Sequence, residues 1–65
     1  MIYRVSLKAA RVNADMTQDQ AGKALGVSKS TIINWERGDS SPKYEMMLKI
    51  CSLYNVPLDN IILPV

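Results

Sequence analysis

Three residues, Gly26, Val27 and Ser28, are all that separate two stretches of helical apolar spacing, and no other feature limits the fold of this chain so strongly. Before them, Thr17 offers an N-cap oxygen and Gln20 stands three residues on. That capping-box arrangement satisfies two orphan backbone donors and contributes about 1 kcal/mol. It predicts a helix from Gln18 to Leu25. Gly26 stops this helix, because the left-handed conformation at a helix end is least strained without a β-carbon. Ser28 is a good N-cap for the next helix, Lys29 to Arg37, which Gly38 ends. Two helices joined by so tight a turn are expected to cross steeply rather than lie antiparallel.

The flanking segments are also helical in spacing. Leu7, Ala10, Arg11 and Ala14 fall at i, i+3, i+4 and i+7, which predicts a helix over about 6–14, with the aliphatic stem of Arg11 sharing an otherwise apolar stripe. After Gly38, Asp39 to Pro42 form a polar turn in which Pro42 takes the first position of a fourth helix, about 43–54. Tyr44, Met47, Ile50, Cys51 and Tyr54 repeat along one side of it, and Glu45 and Lys49 make a favourable i, i+4 pair on the other. Asn55 can take the left-handed cap. Pro57 then opens a last short helix, about 58–62, whose Leu58 and Ile61 close the core. The opening MIYRV has strand propensity, but five residues are too few to define a strand. The expectation is an all-α, five-helix single domain spanning residues 1–65, with no repeat or linker.

Composition narrows the function more by exclusion than by assertion. A chain of 65 residues has room for one core. It buries only about 60% of its unfolded surface, and domains of this size often rely on disulfides or a metal. Cys51 is the only cysteine and histidine is absent, so zinc-finger spacings are excluded and no metal or cofactor is expected. A reduced, intracellular setting follows. The net charge of +2 and pI near 8.9 permit a polyanionic partner without demanding one. No apolar run is long enough for a membrane span, and MIYRVSLKAA lacks the hydrophobic centre and cleavage site of a signal peptide. The chain is therefore expected to be soluble and cytoplasmic, with no membrane partner. An enzyme finds little support. Ser40 to Lys43 satisfy S-x-x-K without its companion motifs, and Cys51 sits on the inward stripe of its helix as a structural thiol. No catalytic residue and no small-molecule substrate are assigned.

Wound as a helix, the segment from Ser28 to Arg37 turns Ile32 and Trp35 inward, with Val27 before them. Lys29, Ser30, Ile33, Asn34 and Arg37 face out. This helix taken alone fits an ordinary amphipathic helix with a solvated face equally well.

The stretches MTQDQAGKALGVSKSTIINWERG and PKYEMMLKICSLYNVPLDNI together, in register over roughly Leu7 to Ile61, resemble the Cro/CI-type (XRE) helix-turn-helix family of phage and bacterial repressors. The residues that carry the resemblance are Gln18, Gly22, Gly26, Val27, Ile32 and Trp35, with Glu36-Arg37-Gly38 after the tryptophan. The resemblance implies a compact, lambda-repressor-like DNA-binding domain whose third helix lies in the major groove of double-stranded DNA. Lys29, Ser30 and Asn34 then take the base-reading positions. Their chemistry suits the role: lysine donates to guanine O6 and N7, asparagine pairs both ways with adenine, and a serine hydroxyl donates or accepts. Ile33 packs against a thymine methyl or, equally well, against a neighbouring helix.

By the same resemblance, Gln18 holds a phosphate together with the amide end of its helix, the alternative being a solvated first-turn residue. Arg37, Lys43, Ser40 and Ser41 frame the groove as further phosphate contacts. Arg11 and Glu36 match a partly buried family pair that locks the first helix to the third, and they are assigned to the scaffold. The apolar tail offers Ile61, Ile62, Leu63 and Val65 as a homodimer interface, which would space two recognition helices about 34 Å apart on a roughly palindromic operator. The chain departs from the family at Ala21, where leucine is usual, at Gly22, where alanine is usual, and at Asp39, where lysine is frequent. Ala21 implies a core refilled by Met16, Trp35 or Met47. A second reading keeps the scaffold but gives it a protein partner, as an antitoxin-like or polymerase-contacting module.

Overall fold

A computed structural model describes residues 4–63. Its elements in chain order are β1 (Val5–Ser6), α1 (Leu7–Asn13), α2 (Gln18–Leu25), α3 (Lys29–Arg37), α4 (Tyr44–Tyr54), a single 3-10 turn (Leu58–Asn60) and β2 (Ile61–Ile62).

Local capping sets most of the helix ends, the start of α4 at Lys43 having no side-chain cap. Ser6 caps α1, its hydroxyl accepting from the Ala9 amide at 3.1 Å. Thr17 and Gln20 form the reciprocal capping box of α2, with the Gln20 N–H donating to Thr17 Oγ1 at 3.1 Å and the Thr17 N–H donating to Gln20 Oε1 at 2.8 Å. Ser28 caps α3 through the Thr31 amide. Gly26 at φ 74° and Gly38 at φ 87° close α2 and α3 in the left-handed region, and Asn55 at φ 56° closes α4. Asp15, also left-handed at φ 58°, turns the chain out of α1, a role its short polar side chain tolerates.

The core is formed by Val5, Leu7, Ala10, Ala21, Leu25, Ile32, Trp35, Met47, Ile50 and Tyr54. Ala21 is 0% exposed, and Trp35 and Met47 share its cluster with Met16 packed against it, so bulk absent at position 21 is present nearby.

The fifth helix expected over 58–62 does not form. Leu58 to Asn60 make one 3-10 turn, after which Ile61 and Ile62 extend and pair in parallel with Val5 and Ser6. Five residues give too few hydrogen bonds to offset helix nucleation, and β-branched isoleucines suit an extended backbone. The opening segment too short to define a strand supplies the partner. Two smaller corrections concern α4. Pro42 is buried but precedes the N-cap, which is Lys43 with extended backbone, so Pro42 does not occupy the first helical position. Tyr44 does, and it is 67% exposed instead of joining the inner stripe.

Candidate nucleic-acid interface

Gly22 makes the α2–α3 junction as tight as it is. The amides of Gly26 and Val27 both donate to its carbonyl, the latter at 2.9 Å. A β-carbon at Gly22 would stand 2.8 Å from the Val27 carbonyl oxygen and 3.4 Å from the Ser28 carbonyl carbon. The glycine therefore lets α2 lie against the backbone from which α3 starts. The low helix propensity of glycine is offset here by close packing.

With the junction held, α3 buries Ile32 and Trp35 and leaves Val27 and Ile33 half-buried. Lys29, Ser30 and Asn34 are exposed on the opposite side. Among the described residues none of these three side chains has a hydrogen-bond or ion-pair partner. Ser30 and Asn34, a helical turn apart, share one side of α3, and Lys29 stands exposed in its first turn. The Asn34 carbonyl accepts from the amides of Gly38 and Asp39, each at 3.0 Å, and so anchors the following turn. Ser28 and Thr31 share a hydroxyl contact of 2.9 Å beside the cap.

The buried side of α3 is polar at one point. Arg11 Nε donates to Glu36 Oε2 at 2.6 Å and Nη2 to Oε1 at 3.2 Å, while Nη1 donates to the Met16 carbonyl at 2.8 Å. The two side chains are 9% and 6% exposed. The hydrogen bond to Glu36 raises the Arg11 guanidinium above its ordinary range, against the opposing effect of burial. Gln18 joins this pair, Nε2 donating to Glu36 Oε1 at 3.2 Å. Burial chiefly, helped by the Glu36 charge, also pushes the Tyr54 phenol up.

The remaining framing residues are in the open. Ser40, Ser41 and Lys43 are exposed, the last at the N-cap of α4. Arg37 faces solvent too, but its Nε lies 3.5 Å from Asp39 Oδ2, a surface pair of little strength. In the tail, Ile61 packs against the protein's own core, whereas Ile62 and Leu63 are 48% and 37% exposed; Val65 lies outside the described residues. Burial raises the half-buried Cys51 thiol, which disfavours its nucleophilic thiolate form. No cluster of metal-ligating side chains occurs among the described residues, and no helix of theirs is long and apolar enough to cross a membrane.

Residues 7–61 match the helix-turn-helix family. The chain belongs to this family, in its Cro/CI-type branch. As a helix-turn-helix protein it is 30% identical over 61 residues to the cryptic phage CTXphi transcriptional repressor RstR of Vibrio cholerae, a match covering 94% of this chain and 55% of that one. It is 38% identical over 53 residues to the HTH-type transcriptional regulator ImmR of Bacillus subtilis, covering 82% and 42%. An uncharacterized HTH-type transcriptional regulator of Methanocaldococcus jannaschii is 36% identical over 55 residues, covering 85% and 83%. The chain thus spans about half the length of RstR and somewhat less of ImmR. No solved structure matches it. In helix-turn-helix terms, α2 and α3 are the two paired helices of the motif.

The Gln18–Glu36 bond, the Met16 carbonyl as acceptor for Arg11 and the pairing of Arg37 with Asp39 go beyond what the sequence assigns. Only the last left a signal, opposite charges two residues apart around a glycine.

Proposed function

We propose that this protein is a sequence-specific, double-stranded DNA-binding transcriptional regulator, a cytoplasmic repressor that occupies a roughly palindromic operator as a homodimer with α3 in the major groove. One observation carries the reading: Lys29, Ser30 and Asn34 are exposed, unpartnered hydrogen-bonding side chains on a helix whose other side is locked into the core. Half-buried Ile33 lies on the same side and can meet a thymine methyl. Phosphates are held by Gln18 and the free amides of the α2 N-terminus, and by Lys43, Ser40, Ser41 and Arg37 around the following turn. Asp39 competes for Arg37 and lowers its share. Arg11 and Glu36 are scaffold in this reading.

A single recognition helix with three or four reading side chains discriminates poorly from non-specific DNA, and pairing doubles the contacts. The exposed apolar side chains of Ile62 and Leu63 support the tail as the pairing surface, with Ile61 behind them and Val65 as its proposed extension. The relatives named as a repressor and as regulators of transcription agree with this assignment.

Exposed Tyr44 and Leu48, one turn apart on α4, favour a protein contact as a second reading, in addition to DNA or in its place. Selection of bound duplexes from a random pool tests the first. The expected product is a symmetric pair of half-sites centred about one DNA turn, or 34 Å, apart. Enrichment of no motif would remove the reading. Salt titration separates the two partners: binding to DNA falls on a log-log plot with a slope of about 0.9 per phosphate contact made by a cation, whereas a contact led by apolar burial barely responds.

A further inference from the structure

Glu36 does more than hold α1 to α3. Its Oε1 accepts from Arg11 Nη2 and from Gln18 Nε2, both at 3.2 Å. A carboxylate only accepts, so the end of the Gln18 carboxamide facing it is the NH2 end. One N–H is thereby engaged, and the second is left in the carboxamide plane with no partner among the described residues. Gln18 is the first residue of α2, and the Thr17 hydroxyl takes only the Gln20 amide, so the backbone N–H groups of Gln18 and Asp19 remain for an outside acceptor. A carboxamide at such a position helps an anion only if it presents N–H, since its oxygen would repel one. Arg11, bonded to both Glu36 oxygens, neutralises the carboxylate that would otherwise oppose a phosphate nearby.

We propose that Glu36 is a positioning residue for phosphate binding: by accepting from Gln18 Nε2 it fixes the carboxamide so that the second N–H joins the α2 backbone amides in facing a DNA phosphate. This rests on the DNA-binding reading above. The lock between α1 and α3 and the grip on the DNA backbone then share one carboxylate.

The test is a double-mutant cycle read as affinity for a random-sequence duplex at fixed salt, together with NMR of the Gln18 side-chain amide. In the native chain, Gln18→Ala is expected to weaken random-duplex binding about tenfold. In the Arg11→Met/Glu36→Met background, where apolar side chains of similar length replace the pair and preserve the fold, the same change should cost less than about twofold. In the Glu36→Gln background, which keeps an acceptor oxygen at the same place, most of the Gln18 dependence should return. Equal Gln18→Ala losses in the native and Met/Met backgrounds overturn the proposal, because a merely structural Glu36 would not change how much Gln18 matters.

NMR needs no variant to fold. In the free protein one Gln18 Nε2 proton should be shifted and slow to exchange. On adding duplex, the other proton should move while the first stays. A carboxamide that leaves Glu36 on binding, or that does not respond, overturns the proposal with DNA binding intact. A native chain that binds no duplex removes the functional reading, and this role with it.

Discussion

The inner and outer faces of α3 treat their polar groups in opposite ways. Inward, the Glu36 carboxylate is bonded at both oxygens, by Arg11 from α1 and by Gln18 from α2. Outward, the side chains of Lys29, Ser30 and Asn34 meet solvent. A charge withdrawn from water costs several kcal/mol unless the protein supplies its partners, so the inner group is fully satisfied. A polar group without a protein partner is inexpensive only where water reaches it. The same nine-residue helix, with Ser28 and Gly38 as its caps, meets both demands because residues three and four apart share a side.

The comparison breaks most visibly on the inner face. Glu36→Ala or Arg11→Ala should each lower stability by about 3 to 5 kcal/mol, since each strands a buried charge. Arg11→Met/Glu36→Met should stay near the native value, because nothing charged remains inside. Urea unfolding measures all three, and single alanine variants as stable as the native chain would mean that this face does not hold α1 to α3.

On the outer face, Asn34→Ala should shift stability by no more than about 0.5 kcal/mol. It should cost about 1 to 3 kcal/mol of discrimination at one base pair of each half-site. Competition between operator and random duplexes reads this directly. Equal losses on both would deprive Asn34 of a reading role and leave it a solvated residue.

The junction that orients both faces gives a smaller effect. Gly22→Ala gains up to about 1 kcal/mol of helix propensity, but its β-carbon meets the Val27 carbonyl oxygen at 2.8 Å, and backbone has to move. A net loss of about 1 kcal/mol is expected in thermal unfolding. An increase in Tm would show that the turn yields freely.

The smallest effect is in alkaline solution. The Tyr54 phenol is raised from its ordinary value of 10.0, so the folded state holds this proton more tightly than the unfolded chain does. The stability linked to it is fully present below pH 10.0 and is lost as pH climbs through the higher folded value. Tyr54→Phe should flatten that part of the decline, measured by urea unfolding from roughly pH 9 to 11.

The helix boundaries were legible because they rest on neighbours in the chain. Thr17 with Gln20, Ser28 before Lys29, and the left-handed positions Gly26, Gly38 and Asn55 each act within one turn. Exposure on α3 was legible for a related reason, since Ile32 and Trp35 fix which side is buried. On α4 the same periodicity misled: Tyr44 falls on the apolar repeat, yet it stands in the first turn, beyond the reach of the core, where Pro42 is buried instead. Gly22 looked like a weak helical residue, because its close approach to Val27 exists only once α2 and α3 have docked.

What the amino-acid sequence determined alone was the four α-helices among the five it suggested, a junction too short for an antiparallel pair and the family to which they belong. The tertiary structure decided the rest. Ile61 and Ile62 become a strand because Val5 and Ser6, at the far end of the chain, come alongside to accept the pairing. Gln18 turns its amide inward because Arg11 and Glu36 have brought a carboxylate within 3.2 Å of it. Caps and turns are local interactions written in adjacent residues, whereas a strand partner or a shared carboxylate exists only after distant segments have met.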